Sequence, residues 1–191
     1  LAACPLLTMR TFAEEKASGT LEMLMTSPLS DWQIVLAKYA GCLLFYTVLW
    51  LPTVVYLPVL SGVNVSWAGG LPHVVATADL APVYTTYLGL FLAGAMFLAM
   101  GVCVSSMVRD QLVAAQASLA LGVLFLAGSF AANAMDGGTG YQVAYYLSVP
   151  LHFDRAFSRG VIDLRPVTLY VSVALFSLFL TVRSLESRRY A

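Results

Sequence analysis

LAPVYTTYLGLFLAGAMFLAMGVCVSSMV, residues Leu80 to Val108, carries no charged side chain and is longer than the ~17 to 25 residues that cross a bilayer as a helix. Three further uncharged apolar blocks flank it: Tyr39 to Asn64, Gln111 to Met135 and Pro166 to Val182. Hydrophobic residues make up 60% of the chain and charged residues 10%, against roughly 25% charged in ordinary soluble domains. A water-facing surface cannot be built from that composition. The reading is an all-α integral membrane protein, a polytopic helical bundle forming a single transmembrane domain with spans at 33–60, 82–108, 112–134 and 165–183.

The formal charge is zero, so no basic field exists for nucleic acid. Cys4, Cys42 and Cys103 fall in or beside apolar runs without metal-site or redox spacing, and read as small buried hydrophobes. Leu1 to Leu7 is too short to span. Residues 1–8 read as the end of a truncated span, since a secretory signal needs a positive residue before the apolar run and small residues after it.

Lys and Arg residues set the orientation. Arg10, Lys16 and Lys38, then Arg109, then Arg183, Arg188 and Arg189 fall on one side of a four-span layout, which the positive-inside rule makes cytoplasmic. Segment 9–32 and the tail 184–191 are then cytoplasmic, and 61–81 and 135–164 external. Arg155, Arg159 and Arg165 count against the rule, partly balanced by Asp154 and Asp163. A fifth span at Val143 to Phe153 would repair that count, but it is short, holds Pro150 and moves the last arginines outside. Small residues recur as Gly89, Ala93, Gly101 and Ser105, and as Ala114, Ser118 and Gly122, which suits close helix packing within a subunit or along a dimer seam. No Asp, Glu, Lys or Arg sits in the middle of a span, which disfavours ion-coupled transport.

Met9 to Tyr39, MRTFAEEKASGTLEMLMTSPLSDWQIVLAKY, is patterned like a lever. Gly19 interrupts the preceding structure. Thr20 can cap a short helix over 20–26, with Glu22 placed against its dipole. Leu21, Leu24 and Met25 share one face, while Met23 points the other way as an adaptable apolar knob. Pro28 stops that helix, and Ser30 with Gln33 forms a capping box for the next, with Asp31 in its first turn. Such a short helix, tied through a corner to the Gln33 to Leu60 span, can pass on a push from a soluble motor. The rival, a helix lying on the lipid surface, would want Lys or Arg where Glu14, Glu15 and Glu22 stand.

Met9, Arg10, Glu14, Glu15, Gly19 to Glu22, Ser27, Pro28, Asp31 and Trp32, together with SRGVIDLR at Ser158 to Arg165 and LESRR at Leu185 to Arg189, resemble the pattern of the ABC-2 type permeases, and within them the permease associated with gliding motility. The resemblance implies a type V exporter-like transmembrane domain of six spans, here lacking the first and most of the second. It also implies a second permease subunit, as a homo- or heterodimer, and a cytoplasmic ABC ATPase that grips the helix after the second span. ATP and Mg would bind that ATPase, not this chain, which has no GxxxxGK[ST] phosphate loop. The implied location is the plasma (inner) membrane of a prokaryote, multi-pass, with a cytoplasmic C-terminus.

Departures from the pattern lie at Ala37, where the family often has Gly, and at Leu164 and Pro166 around Arg165. Asp163 capping the last span, with Pro166 in its first turn, accounts for the second.

The ATPase-coupling candidates are therefore Glu14, Glu15, Gly19, Thr20, Glu22, Met23, Pro28 and Asp31. Outside the membrane, Tyr141 to Gly160 reads as a short helix with Phe153, Ala156 and Phe157 on one face and Asp154, Arg155, Ser158 and Arg159 on the other, capped by Gly160. Phe153, Phe157, Arg159 and Gly160 are candidates for an external gate, since in the family this region resembles the element that lids the pathway. A surface anchor held by Tyr145 and Tyr146 is the alternative. His73 and His152 read as ordinary loop residues, and Asp79, Asp110 and Asp136 as caps or boundary markers. No catalytic or metal-ligating residues are expected. A non-transporting scaffold of an envelope or gliding-type machine is the alternative function.

Overall fold

The computed structural model describes residues 2–20, 29–56, 64–68, 71–75, 81–134 and 138–189. In chain order it has α1 (Ala3–Thr8), α2 (Ala13–Ser18), α3 (Asp31–Val54), strands β1 (Asn64–Ala68) and β2 (Leu71–Val75), and α4 (Ala81–Met107). Then come α5 (Gln111–Asn133), α6 (Thr139–Leu147), α7 (Val149–Arg155), a 3-10 turn at Phe157–Arg159, and α8 (Leu164–Arg189). Four of these, α3, α4, α5 and α8, are long and apolar enough to cross a membrane. A chain in lipid must satisfy its backbone polar groups internally, so the spanning pieces are helical. With 27 residues, α4 is the longest, about 40 Å at the helical rise.

The helix ends carry the chemistry that their sequences announce. Gln33 N donates to Ser30 Oγ at 3.4 Å and Ser30 N donates to Gln33 Oε1 at 3.1 Å, completing the capping box of α3. Asp110 Oδ1 accepts from Leu112 N at 2.9 Å at the start of α5. Asp163 Oδ1 accepts from Arg165 N at 3.0 Å at the start of α8, with Pro166 in the first turn. Asp79 and Asp136 lie outside the described residues.

Two boundaries differ from the sequence reading. Residues 184–189, read as part of a separate tail, continue α8. No Pro or Gly interrupts them, and Leu185 extends the buried stripe of Leu178 and Val182 by another turn, against Phe12, Ile34 and Val35. In segment 61–81, read as external and without secondary structure, β1 and β2 pair antiparallel from Asn64↔Val75 to Ala68↔Leu71. In the sequence only Gly69 and Gly70 separate the strands, a link length and composition that suit a hairpin.

Packing centres on α4. In its most apolar stretch 61% of residues are buried, against 17% in α3 and 11% in α5, so α4 is the axis around which the other elements collect. It meets α1, α3, α5, α8 and the 3-10 turn. Small residues make the close approach possible. A Cβ added at Gly94 would overlap the Tyr46 ring, one at Gly101 the Thr8 side chain, and one at Gly89 would lie 2.8 Å from Phe157 Cγ. The stripe of Gly89, Ala93, Gly101 and Ser105 is thus buried by contacts within this chain. Two tyrosines of α3 reach across to α4, where Tyr46 Oη donates to Leu90 O at 3.1 Å and Tyr39 Oη to Ala95 O at 3.2 Å.

Candidate functional site

Two clusters of side chains join the short elements to the long helices, one at each end of α4. The first surrounds Ser105 and Ser106 in its last turns. The amides at the start of α2 have no intrahelical acceptor, and Phe12, its N-cap residue, has no side-chain oxygen to offer. Ser105, fully buried, supplies one from a distant part of the chain. Its Oγ accepts from Phe12 N and from Ala13 N, each at 3.1 Å, and donates to Met9 O at 3.3 Å. A single hydroxyl thereby holds both the end of α1 and the beginning of α2.

Ser106 does the converse with its carbonyl, one of the acceptors that a helix C-terminus leaves unpaired. It accepts from Lys16 Nζ of α2 and from Ser184 Oγ of α8 at 3.4 Å. A cation at this end also suits the helix dipole. Lys38, near the start of α3, donates to Thr11 O at 2.6 Å, pairs with Glu15 and lies 4.8 Å above the Phe12 ring. Residues 8–18 are therefore hydrogen-bonded to α3 and α4, and Phe12 packs with Leu178, Val182 and Leu185 of α8.

Of the coupling candidates, Glu14 is exposed on α2 and Glu15 is half-buried against Lys38. Gly19 ends α2 in the left-handed region at φ 76°, which a side chain would strain. Thr20 Oγ1 lies 2.9 Å from Ser18 Oγ. Asp31 opens α3. Glu22, Met23 and Pro28, and most of the helix read at 20–26, lie outside the described residues. A polar cleft of about 440 Å³ beside this junction is lined by Arg10, Glu14, Glu15, Thr20 and Lys38. Glu15 and Thr20 thus share a cleft, whereas Asp31 is not among its lining residues.

At the other end of α4, the segment read as one external helix is two, broken at Ser148. Its hydroxyl accepts from Leu151 N at 3.5 Å to start α7, which carries Pro150 in its first turn. Beyond α7 the chain tightens into the 3-10 turn and leaves it through Gly160 at φ 78°. Phe157 is fully buried on Gly89, while its carbonyl accepts from Thr85 Oγ1 at 2.6 Å and from Thr86 Oγ1 at 3.3 Å. The rings of Phe153 and Phe157 lie 5.3 Å apart. Phe153 also lines a cavity of about 400 Å³ inside the bundle with Cys4, Tyr46, Ala93 and Phe97. Asp154, Arg155, Ser158 and Arg159 are exposed, so the two faces separate as the periodicity implies.

His152 corrects the sequence reading. Far from being an ordinary loop residue it is 1% exposed, with Nδ1 3.1 Å from Tyr170 Oη of α8 and its ring edge-on to Tyr145 of α6. Burial holds its pKa below the ordinary value, opposed by the charge of Asp163 and a backbone hydrogen bond at Tyr145. Periodicity gives this position no mark, because its partners come from other elements. The same is true of Ser105, Ser106 and Ser184, which sequence reasoning treats as small residues or not at all. The only local hint is a polar Ser–Ser pair at the end of an apolar helix. Among the described residues no group of His, Cys, Asp or Glu is arranged to hold a metal ion.

A family model described as ABC-2 family transporter protein matches residues 1–153, from the first residue through most of α7. No curated protein and no solved structure matches the chain.

Proposed function

Because this chain belongs to the ABC-2 transporter family, we propose that it is the membrane-spanning permease subunit of an ABC exporter, driven by a separate cytoplasmic ATPase that grips residues 20–26. ATP and Mg bind that ATPase, and a second permease subunit completes the pathway. The chain lies in the plasma (inner) membrane of a prokaryote with its C-terminus in the cytoplasm, as the Lys and Arg distribution favours. SRGVIDLR at 158–165 and LESRR at 185–189 favour a gliding-motility-associated permease within the family. Both blocks fall beyond the residues that the family model matches.

One observation carries the coupling role. The segment that leads into residues 20–26 is tied to α4 through Ser105 and Ser106 and to α3 through Lys38, and Ser106 also accepts from Ser184 of α8, so a displacement there has a path into the bundle. A loosely tethered loop would absorb the same displacement. At the far end of α4, Phe153 lines the bundle cavity and lies against Phe157, which packs on Gly89, and with Arg159 and Gly160 they form a lid that opens outward when the helices move.

The test is Met23→Glu in the complete transporter. Placing a carboxylate at this position should abolish pull-down of the ATPase and its stimulation by the permease. Unchanged pull-down and unchanged stimulation would remove the docking role and leave the chain as a membrane scaffold.

A further inference from the structure

The corner after residues 20–26 leads by sequence into α3, which makes α3 the obvious helix to receive a push. The packing argues otherwise. α3 is largely uncovered within this chain, whereas α4 touches nearly every other helix, and the cytoplasmic segment is anchored to α4 by its backbone. Backbone anchorage matters because it carries no side-chain slack. Lys38 holds the segment to α3 through a long, flexible side chain, while Ser105 grips two amides and one carbonyl through a two-atom arm.

From this geometry we infer that the stroke enters the bundle at α4, with the Ser105 hydroxyl as the positioning residue that makes α2 and α4 move as one body. The inference rests on the permease reading above. The site is fully buried, and among the described residues Ser105 is the side-chain acceptor of the Phe12 and Ala13 amides, so losing its hydroxyl leaves two buried donors to be satisfied. Ser106 then passes the motion to α8 through its carbonyl, shared by Lys16 and Ser184. α4 delivers it to the opposite end, where Gly89, Thr85 and Thr86 hold Phe157. One helix thus links the motor side to the lid.

Spin-label distances in the complete transporter, nucleotide-free and trapped with ATP and orthovanadate, test this. Labels at Ala17 and Met107, exposed on α2 and at the end of α4, report the junction. Labels at Tyr56, exposed just beyond the end of α3, and at Tyr84, exposed near the start of α4, report the response. In the wild type the first distance should stay constant while the second changes by about 2 Å, the scale of helix shifts in switching proteins. Ser105→Ala should retain ATPase binding and turnover but lose the change between Tyr56 and Tyr84, and Ser105→Thr, which keeps the hydroxyl, should restore it. A Ser105→Ala transporter that keeps the outer change overturns the inference. So does a wild-type distance between Ala17 and Met107 that varies with nucleotide, a result that does not depend on the variant folding. Failure of the permease reading looks different: Met23→Glu would then leave the ATPase bound and stimulated.

Discussion

His152 shows how a single side chain fastens the segment between α5 and α8. Its ring is wedged between Tyr145 and Tyr170, and burial lowers its pKa against the opposing pull of the Asp163 charge. Because the folded pKa lies below the ordinary 6.5, the unfolded or opened segment binds the proton more readily. The stabilisation it provides is therefore present above pH 6.5 and is lost as pH falls through the lower folded value. Amide exchange of residues 149–160, corrected for the intrinsic rate, should accelerate between about pH 7.5 and about pH 5. Replacement by Gln, which has no titration in this range, should flatten that dependence. Equal acceleration in both proteins would dissociate the segment's stability from His152.

Element ends show the clearest agreement between sequence and coordinates. Asp110 interrupts the turn between α4 and α5 and accepts from Leu112 N, and Ser30 and Gln33 reciprocate at α3. Each is a short-range solution to the unpaired amides that begin any helix. Asp110→Ala should cost about 1 kcal/mol of stability in detergent, with exchange rising at the first amides of α5 and no change at the start of α8. Uniform exchange changes across α4 and α5 would mean that Asp110 holds the turn rather than the helix end. Contacts between elements follow another rule, in which glycines set how near two helices come. Tyr46 reaches α4 so closely only because position 94 has no Cβ, and its hydroxyl then bonds Leu90 O.

The whole molecule is a bundle organised around one buried helix, with the Ser105 junction at one end and the Phe157 turn at the other. Apolar side chains such as Phe45 and Leu49 of α3 and Leu124 and Phe130 of α5 remain exposed, as lipid-facing or subunit-facing surfaces of a membrane protein are. Orientation is the property on which the mechanism depends at this scale. Cysteine substitutions at Ala17 and at Ser158, both exposed, place a thiol at each end. The native Cys4 and Cys103 are buried, and Cys42 is half-buried within α3, which keeps the background low. A membrane-impermeant maleimide should label Ser158→Cys in intact cells and Ala17→Cys only after lysis. The reverse pattern would invert the topology and put residues 20–26 beyond the reach of a nucleotide-driven partner.

What the sequence determined by itself was governed by neighbours along the chain. The number and approximate position of the spans follow from local hydropathy, their starts from Ser30, Asp110 and Asp163, and the break at Gly19 from its lack of a side chain. Only the tertiary structure decided which small polar residues hold the elements together. Ser105 meets Phe12 and Ala13, Thr85 meets Phe157, and His152 meets Tyr170, in each case between separate elements. A hydroxyl or imidazole carries no periodic signal of its partner, because hydrogen bonding acts over about 3 Å in space and is blind to distance along the chain.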